Sequence, residues 1–323
     1  MRKVLLTGAA GFIGSHLSEK LLQDRYQVIA IDNFDPFYSQ KFKRENIKNV
    51  LKNSNYFFIE EDIRNFPGLT SVFKQFQPID TIIHLAAKAG VRKSIKSPKT
   101  YYQVNVLGTK NLLELAKDFK VKKFIFSSSS SVYGESQIPF SENEKNLQPL
   151  SPYGKTKLEA ENLCKKFYSK FHIPIIILRL FSVYGLRGRP DMAPYLFTKA
   201  AFEGKPIKQY GDGLSARDWT YIDDIVEGIV KTLKIPLNFE IINLGGSKPI
   251  KLKTLIATIE NLSRKTIKKI ILPTIIQEPQ ITFANIKKAK RILNWQAKTG
   301  FNEGIEKFIN WFKNNRLKST LNY

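Results

Sequence analysis

Short apolar runs alternate with longer amphipathic segments through the first 180 residues of the chain. Leucines recur at helical spacing in the longer segments, as in the stripe of Leu17, Leu21 and Leu22. The short runs are continuously apolar, which is typical of strands buried on both faces of a parallel sheet. The predicted strands are Lys3 to Thr7, Gln27 to Ile31, Tyr56 to Ile59, Thr81 to Leu85, Lys123 to Ser127 and Pro174 to Leu180. Strands that alternate with helices predict an α/β fold with a Rossmann-type, doubly wound parallel sheet.

The alternation ends near residue 181, after which prolines separate shorter elements. Because about 150 residues is a typical domain length, the chain should hold about two domains. We predict that residues 1–180 form the Rossmann domain and that residues 181–323 form mainly a smaller C-terminal lobe. Segments of the two are expected to interleave.

A glycine-rich turn follows the first predicted strand and opens the first helix; it reads Thr7-Gly8-Ala9-Ala10-Gly11-Phe12-Ile13-Gly14. Backbone N–H groups at such a helix start bind the diphosphate of a dinucleotide, and a Cβ at the glycines would block its approach. Asp32 ends the second strand, where a carboxylate bonds the adenosine ribose hydroxyls and repels a 2′-phosphate. The pattern predicts NAD rather than NADP; the alternative is a glycine turn with an unrelated aspartate.

Two further strand ends are placed to reach the same cofactor. Asp62-Ile63 follows the third strand and can reach the adenine, while Leu85-Ala86-Ala87 follows the fourth and lets the backbone approach the cofactor. Ordinary packing at a strand end explains either segment alone. Because the carboxyl ends of parallel strands meet at one edge of the sheet, we predict that both belong to the cofactor site.

Tyr153 and Lys157 are four residues apart and therefore share one face of a predicted helix. An ammonium beside a phenol favours the phenolate, which can act as a base near neutral pH. This pattern also occurs by chance in many helices. It gains weight from the serines at 127–131, which end the fifth strand where doubly wound folds bind ligands. There Ser129 can share the hydrogen bond of a reacting alcohol.

The chain carries 52 Lys and Arg against 28 Asp and Glu, a formal charge of +24. The lysines are dispersed, so we interpret them as solvated surface and expect neither a nucleic-acid nor a membrane partner, although such an anionic partner remains the alternative. An anionic small-molecule substrate would suit the same field. Cys164 is the sole cysteine, which excludes an intramolecular disulfide and favours a cytoplasmic setting. The three histidines lack metal-ligand spacing, so no metal is expected.

Four motifs together resemble the extended short-chain dehydrogenase/reductase family of nucleotide-sugar epimerases and dehydratases. They are the glycine turn, His84-Leu85-Ala86-Ala87, the serine cluster running into Val132-Tyr133-Gly134, and the Tyr153/Lys157 pair. The resemblance covers essentially the whole chain. It implies that Ser129, Tyr153 and Lys157 are catalytic and that residues 181–323 bind a nucleotide sugar. Besides the residues already named, it assigns to the cofactor Asn33, Asn105, Ser127, Tyr153 and Lys157.

Three stretches resemble UDP-glucuronate 4-epimerases in particular: residues 32–38, 89–92 and 188–199. The resemblance implies that Arg92 belongs to the substrate site. It also implies that Arg189, with Ser129, Ser130, Ser131 and Ser182, faces a sugar carboxylate. For Arg189 the alternative is an exposed loop position.

Arg217, in the segment Arg217-Asp218-Trp219, resembles the family arginine that grips the nucleotide diphosphate. A guanidinium suits that bidentate role. A surface ion pair with Asp218 is the alternative.

Family members that dehydrate or decarboxylate resemble one another in carrying an acidic residue directly after the catalytic Ser or Thr. Here Ser130 follows Ser129, which favours epimerisation. The expected activity is NAD-dependent 4-epimerisation of a UDP-sugar, UDP-glucuronate before UDP-glucose or UDP-N-acetylglucosamine. A dehydrogenase, a dehydratase or decarboxylase, and a non-catalytic NAD or nucleotide-sugar binding protein are less favoured by the same residues.

Three residues depart from the family pattern: Ser182 replaces a threonine, Ile275 a polar residue and Glu278 an aspartate. These departures leave the exact UDP-sugar open. The resemblance also implies a homodimer, joined through helices predicted at about residues 99–119 and 152–171.

Overall fold

Seven strands form one fully parallel sheet at the centre of the fold, in the order β10-β6-β5-β4-β1-β2-β3 when strands are numbered along the chain. These strands are β1 (Lys3–Thr7), β2 (Gln27–Asp32), β3 (Tyr56–Glu60), β4 (Thr81–His84), β5 (Lys123–Ser129), β6 (Ile175–Leu180) and β10 (Phe239–Leu244). This is a computed structural model that describes residues 1–317. The predicted Rossmann-type parallel sheet is confirmed.

Alternate residues of each central strand pack into different helix layers. In β1, Val4 and Leu6 belong to one apolar core, while Leu5 belongs to a second core on the opposite face of the sheet. In β5, Ile125 belongs to the first core and Phe124 to the second. Both faces are therefore buried, which explains why these strands are continuously apolar.

Helices cover both faces of the sheet and the C-terminal part of the chain. They are α1 (Phe12–Gln23), α2 (Gln40–Ile47), α3 (Phe66–Phe76), α4 (Val91–Lys96), α5 (Pro98–Tyr102), α6 (Gly108–Asp118), α7 (Pro152–Phe171), α8 (Ala193–Glu203), α9 (Ile222–Lys234), α10 (Leu252–Ser263), α11 (Lys287–Leu293) and α12 (Phe301–Phe312). A π-helical turn at Gln103–Leu107 joins α5 to α6. Within residues 1–317, none of these helices is long and apolar enough to cross a membrane.

Two small sheets lie in the C-terminal part. One contains β7 (Ser182–Tyr184), β9 (Ala216–Tyr221) and β11 (Pro249–Lys251), and the other contains β8 (Ile207–Tyr210) and β12 (Lys269–Leu272). β10 follows β7, β8 and β9 in the chain but belongs to the main sheet, where it pairs with β6. The domain boundary at residue 180 stays a prediction.

The start of α7 follows from its sequence. Ser151 is its N-cap, and the Ser151 hydroxyl accepts a hydrogen bond of 3.1 Å from the backbone N–H of Gly154. Pro152 occupies the first helical position, where its missing N–H costs nothing. This cap fixes the first turn of α7, which carries Tyr153.

Candidate active site

A cleft of about 730 Å³ opens at the carboxyl edge of the main sheet. Its walls come from the β1–α1 turn, the ends of β2, β4 and β5, the start of α7, and segments of the C-terminal part. With the exception of Asn105, every residue predicted for the site lines it. They are Gly8, Gly11, Phe12, Ile13, Gly14, Asp32, Asn33, Asp62, Ile63, Leu85, Ala86, Ala87, Arg92, Ser127, Ser129, Ser130, Ser131, Tyr153, Lys157, Ser182, Arg189 and Arg217.

The glycines of the turn let the backbone pack closely at the start of α1. Gly8 has a φ of +72°, and a Cβ there would lie 2.8 Å from the backbone nitrogen of Ala86. A Cβ at Gly14 would lie 2.1 Å from the Gly8 carbonyl oxygen. The N-cap residue, Gly11, offers no side chain to the first N–H groups of α1, so these donors face the cleft without a capping acceptor. Such donors and the positive end of the helix dipole fit an anionic diphosphate.

Asp32 presents a buried carboxylate at the end of β2. Its two oxygens accept hydrogen bonds from the backbone N–H groups of Ala10, at 3.1 Å, and Phe34, at 2.9 Å. Burial raises the pKa of Asp32, while Lys43, whose Nζ lies 3.8 Å away, opposes that rise. Each oxygen keeps a further lone pair, so the carboxylate can still accept from ribose hydroxyls.

Asp62 lies beside Asn33 at the edge of the same region. The Asn33 amide donates to Asp62 at 2.8 Å, and Arg64 forms two hydrogen bonds with this carboxylate, at 2.9 and 2.7 Å. Burial acts to raise the pKa of Asp62, but the hydrogen bonds from Arg64 outweigh it and the pKa is lowered. Asp62 is therefore held as an anion within the cleft wall.

Asn105 lies behind the cleft wall, in the π-helical turn between α5 and α6. Its carbonyl oxygen accepts from the Lys88 N–H at 2.8 Å, and its amide donates to the Lys88 carbonyl at 3.0 Å and to the Thr156 hydroxyl at 3.1 Å. Asn105 does not line the cleft among the residues described. Asn105 ties the segment after β4 to α7, and its contact with the cofactor stays a prediction.

Tyr153 and Ser129 lie together in the cleft. Burial is the strongest influence on Tyr153 and raises its pKa, while hydrogen bonding with Ser129 and the positive charge of Arg189 lower it. The Ser129 hydroxyl also accepts from the Ser131 N–H at 3.1 Å, which fixes its position at the end of β5.

Lys157 lies on α7 with Tyr153 and lines the same cleft. Its ammonium donates to the Ser127 carbonyl oxygen at 2.7 Å and lies 4.8 Å from the centroid of the Phe126 ring. Burial lowers the pKa of Lys157 to about 8. Arg189 is the cation that lowers the pKa of Tyr153 here, and the same effect of Lys157 stays a prediction.

Arg189 is a wall residue of the cleft rather than an exposed loop residue. Its guanidinium forms two hydrogen bonds with Asp191, from Nε at 3.0 Å and from Nη2 at 2.7 Å. The Phe37 ring centroid lies 5.3 Å from the guanidinium carbon. Although burial acts to lower the pKa of Arg189, Asp191 raises it, so the group is a permanent cation near Tyr153.

Glu278 joins the two other arginines of the cleft. Its carboxylate accepts from Arg92 at 3.0 Å and from Arg217 at 3.2 Å. Asp218 is fully buried and accepts from the backbone N–H groups of Ser247 and Ala284. The alternative of a surface ion pair between Arg217 and Asp218 is therefore wrong. The departure at Glu278 places an acidic group directly between two cleft arginines.

The model of the GDP-mannose 4,6 dehydratase family matches residues 5–308, nearly the full length of the chain. The chain belongs to this family. A curated relative, UDP-glucuronate 4-epimerase of Thermodesulfobacterium geofontis, is 44% identical over 312 residues, which cover 96% of each chain.

Solved structures of the family also resemble this chain closely. The UDP-glucuronic acid 4-epimerase of Bacillus cereus, solved in complex with UDP-glucuronic acid and NAD, is 42% identical with a TM-score of 0.92, and the match covers 97% of this chain and 99% of that one. The UDP-glucose 4-epimerase of Thermotoga maritima, solved with UDP-glucose, is 30% identical with a TM-score of 0.88 over the same shares.

Sequence reasoning missed several polar residues of this family member's site. Asp191 lies within residues 188–199, two positions after Arg189, and this proximity is the signal that could have found it. Glu161 and Arg179, which lie beneath the serine cluster, have no such signal. They are 18 residues apart, on α7 and β6, and meet only in the folded chain.

Proposed function

We propose that this protein catalyses the NAD-dependent 4-epimerisation of UDP-glucuronate to UDP-galacturonate. The observation that carries the proposal is the position of Arg189, a cation close enough to Tyr153 to lower the pKa of its phenol. In a glucuronate, the carboxylate is attached to C5, the carbon next to C4. A cation that recognises this carboxylate must therefore lie close to the base that acts on the 4-hydroxyl.

The residues at the β1–α1 turn and at Asp32 fit NAD. Gly8, Gly11 and Gly14 pack the start of α1 against the segments after β1 and β4, so its uncapped N–H groups can meet a diphosphate in the cleft. The Asp32 carboxylate suits ribose hydroxyls but repels a 2′-phosphate. When bound, NAD supplies the acceptor for the C4 hydride and a positively charged ring. Lys157 has three N–H donors and uses one on Ser127, so the others remain for the ligands of the cleft.

The chain's own groups move and hold the proton. Tyr153 takes the proton of the sugar 4-hydroxyl, and Ser129 orients that hydroxyl. Because burial favours the neutral phenol in the free protein, the positive charge of Arg189 and that of the bound cofactor must both assist its ionisation. The resulting 4-keto sugar turns about its diphosphate link, and Tyr153 returns the proton after reduction on the other face.

Arg189 and the serine hydroxyls also protect the intermediate. A 4-ketone is β to the glucuronate carboxylate, an arrangement that is prone to lose carbon dioxide. Holding the carboxylate so that its C–C bond stays out of line with the ketone π system prevents this loss. Ser130, Ser131 and Ser182 line the cleft and supply small donors for that purpose.

The similar proteins support this choice of substrate. The curated relative from Thermodesulfobacterium geofontis is a UDP-glucuronate 4-epimerase, and the Bacillus cereus structure holds UDP-glucuronic acid with NAD. One observation favours UDP-glucose as a second candidate. Asp191 occupies two guanidinium nitrogens of Arg189 and reduces the net charge available to a sugar carboxylate.

We also propose that the protein is a cytoplasmic homodimer that supplies uronic acid units for polysaccharide synthesis. The apolar side chains of Tyr102 and Leu107, 41% and 42% exposed, lie on the segment predicted to join two subunits. Sedimentation that gives only monomer at micromolar concentration would contradict the dimer.

The test of function is direct identification of products. Purified protein with NAD is incubated separately with UDP-glucuronate, UDP-glucose and UDP-N-acetylglucosamine, and the sugars are identified by NMR. We expect UDP-galacturonate as the main product, with no net change in NAD. Preferential conversion of UDP-glucose would favour the second candidate, UDP-glucose 4-epimerisation. An oxidised, reduced or dehydrated product would exclude both candidate epimerisations.

A further inference from the structure

A buried ion pair lies directly beneath the reactive serines. Arg179, on β6, forms two hydrogen bonds with Glu161, on α7, at 3.0 and 2.7 Å. Their side chains are only 2% and 4% exposed. The Ser128 hydroxyl donates to the same carboxylate at 2.5 Å. Glu161 therefore connects three elements of the site: α7, β5 and β6.

Burying this ion pair costs free energy that the attraction between its two charges does not necessarily recover. Removing two charges from water costs several kcal/mol for each ion, and a buried pair is often no more stable than apolar residues of the same volume. The guanidinium of Arg179 also lies 4.7 Å from the centroid of the Tyr133 ring, but its Nη1 has no hydrogen-bond partner among the described residues. A buried pair of this kind calls for a role beyond the packing of α7 on the sheet.

Glu161 lies one helical turn after Lys157 and acts on its charge. Burial lowers the pKa of Lys157 to about 8, and the Glu161 carboxylate is the main influence that opposes this drop. From the sheet, Lys157 faces the Ser127 carbonyl and the Phe126 ring of β5, and His84 of β4.

The other titratable neighbours of Lys157 are neutral at pH 7. Burial lowers the pKa of His84 to about 3 and raises that of the Cys164 thiol. Burial also keeps Tyr153 neutral in the free protein. The remaining charged group in this region is Arg179, a cation that forms an ion pair with Glu161. Glu161 is thus the negative charge on which the Lys157 ammonium depends.

We propose that Glu161, anchored by Arg179, is a positioning residue that places its negative charge one helical turn from Lys157 and holds the serine end of β5 against α7. The proposal rests on the proposed function, in which Lys157 acts as a cation at the cofactor end of the cleft. Through Ser128 the same carboxylate fixes the strand whose neighbouring residues, Ser127 and Ser129, hold Lys157 and hydrogen-bond with Tyr153.

Two variants of Glu161 separate charge from packing. Glu161→Gln keeps the shape and removes the charge, while Glu161→Asp keeps the charge and shortens the side chain. Glu159→Gln is the matched control, because Glu159 is exposed on the same helix and its loss changes the net charge equally. Since Glu161→Gln leaves Arg179 unpaired, Glu161→Gln combined with Arg179→Met provides a second variant without a lone buried charge.

The first measurement is the pH profile of UDP-glucuronate turnover. In the wild type we expect turnover to fall as pH rises through about 8, where Lys157 loses its proton. Glu161→Gln should move this limb to lower pH by on the order of one unit, because an opposite charge nearby has been removed, and the double variant should move it less, because the positive charge of Arg179 is removed as well. Glu161→Asp should reduce turnover with a smaller shift, and Glu159→Gln should leave the limb in place.

The second measurement needs no turnover. In protein labelled with [¹³Cε]lysine, the Lys157 resonance, assigned by Lys157→Arg, should titrate at lower pH in both variants that lack the Glu161 charge. An unmoved titration in folded Glu161→Gln and in the double variant would overturn the inference, as would an equal shift in Glu159→Gln. If the wild type converts no UDP-sugar, the proposed function fails, while the titration still decides the role of Glu161.

Discussion

Replacing Arg189 with alanine is expected to reduce turnover of UDP-glucuronate far more than turnover of UDP-glucose. Arg189 offers a cation held in place by two hydrogen bonds to Asp191, and only the uronate carries an anion to meet it. A charge-assisted contact is worth about 1.5 to 3 kcal/mol, which corresponds to roughly ten- to a hundredfold. The ratio of kcat/KM for the two sugars should therefore fall by about that factor.

Part of the loss of turnover in Arg189→Ala should be the same for UDP-glucuronate and UDP-glucose. Arg189 also lowers the pKa of Tyr153, so its removal disfavours the phenolate whichever sugar is bound. In addition, Arg189→Ala leaves the Asp191 carboxylate unpaired and facing the uronate. The matched variant is Arg189→Ala with Asp191→Ala, which removes this repulsion and should recover some uronate turnover without restoring the wild-type ratio.

The assay follows both sugars and the fate of the carboxylate. With UDP-glucuronate labelled by ¹³C at C6, NMR detects the epimer and labelled carbon dioxide in the same sample. The 4-keto intermediate loses its carboxylate when that group is no longer held out of line with the ketone π system. The fraction of UDP-glucuronate released as carbon dioxide should therefore rise in Arg189→Ala. Equal losses for the two sugars, with no added release, would refute the assignment of Arg189 to the carboxylate.

Three further results are expected. Tyr153→Phe should lower turnover by about 10² to 10⁴ with sugar binding retained, because it removes the base and keeps the ring; near wild-type turnover would contradict the assignment. Asp32 should make NAD bind more tightly than NADP in calorimetry, and Asp32→Ala should narrow that difference; tighter NADP binding by the wild type would exclude the ribose role. Burial lowers the pKa of His84 to about 3, so the unfolded state binds more protons below pH 6.5 and the contribution of His84 to the free energy of unfolding should fall by up to about 1.4 kcal/mol per pH unit as pH drops from 6.5 towards 3. His84→Gln should reduce this slope in denaturant titrations, and an unchanged slope would show that His84 does not contribute.

The sheet strands before residue 181 could be predicted because local pattern alone determines them. Except for the edge strand β3, which is only partly buried, each is buried on both faces. The runs from Lys3 to Leu180 coincide with observed strands to within two residues at their ends. The glycine turn and Asp32 were found for a similar reason: their spacing reflects one strand, one turn and one helix.

Contacts made across the sheet were beyond sequence reasoning. The pair of Glu161 and Arg179 requires a helix and a strand to meet, and no spacing encodes that meeting. The hydrogen bonds of Asn105 with Lys88 and Thr156 likewise join segments that meet only in the folded chain. Residue type indicated polar chemistry in each case, but the partner was decided by tertiary packing.

The position of β10 has a consequence for synthesis of the chain on the ribosome. All six residues of β6 are buried, and one of its two edges is covered only by β10, which begins 59 residues after β6 ends, at Phe239. Until that segment emerges, β6 presents an unpaired, strongly apolar strand edge, the kind of surface that recruits other chains. Nascent or truncated chains that end between residues 181 and 238 should therefore be the aggregation-prone ones and the main clients of chaperones.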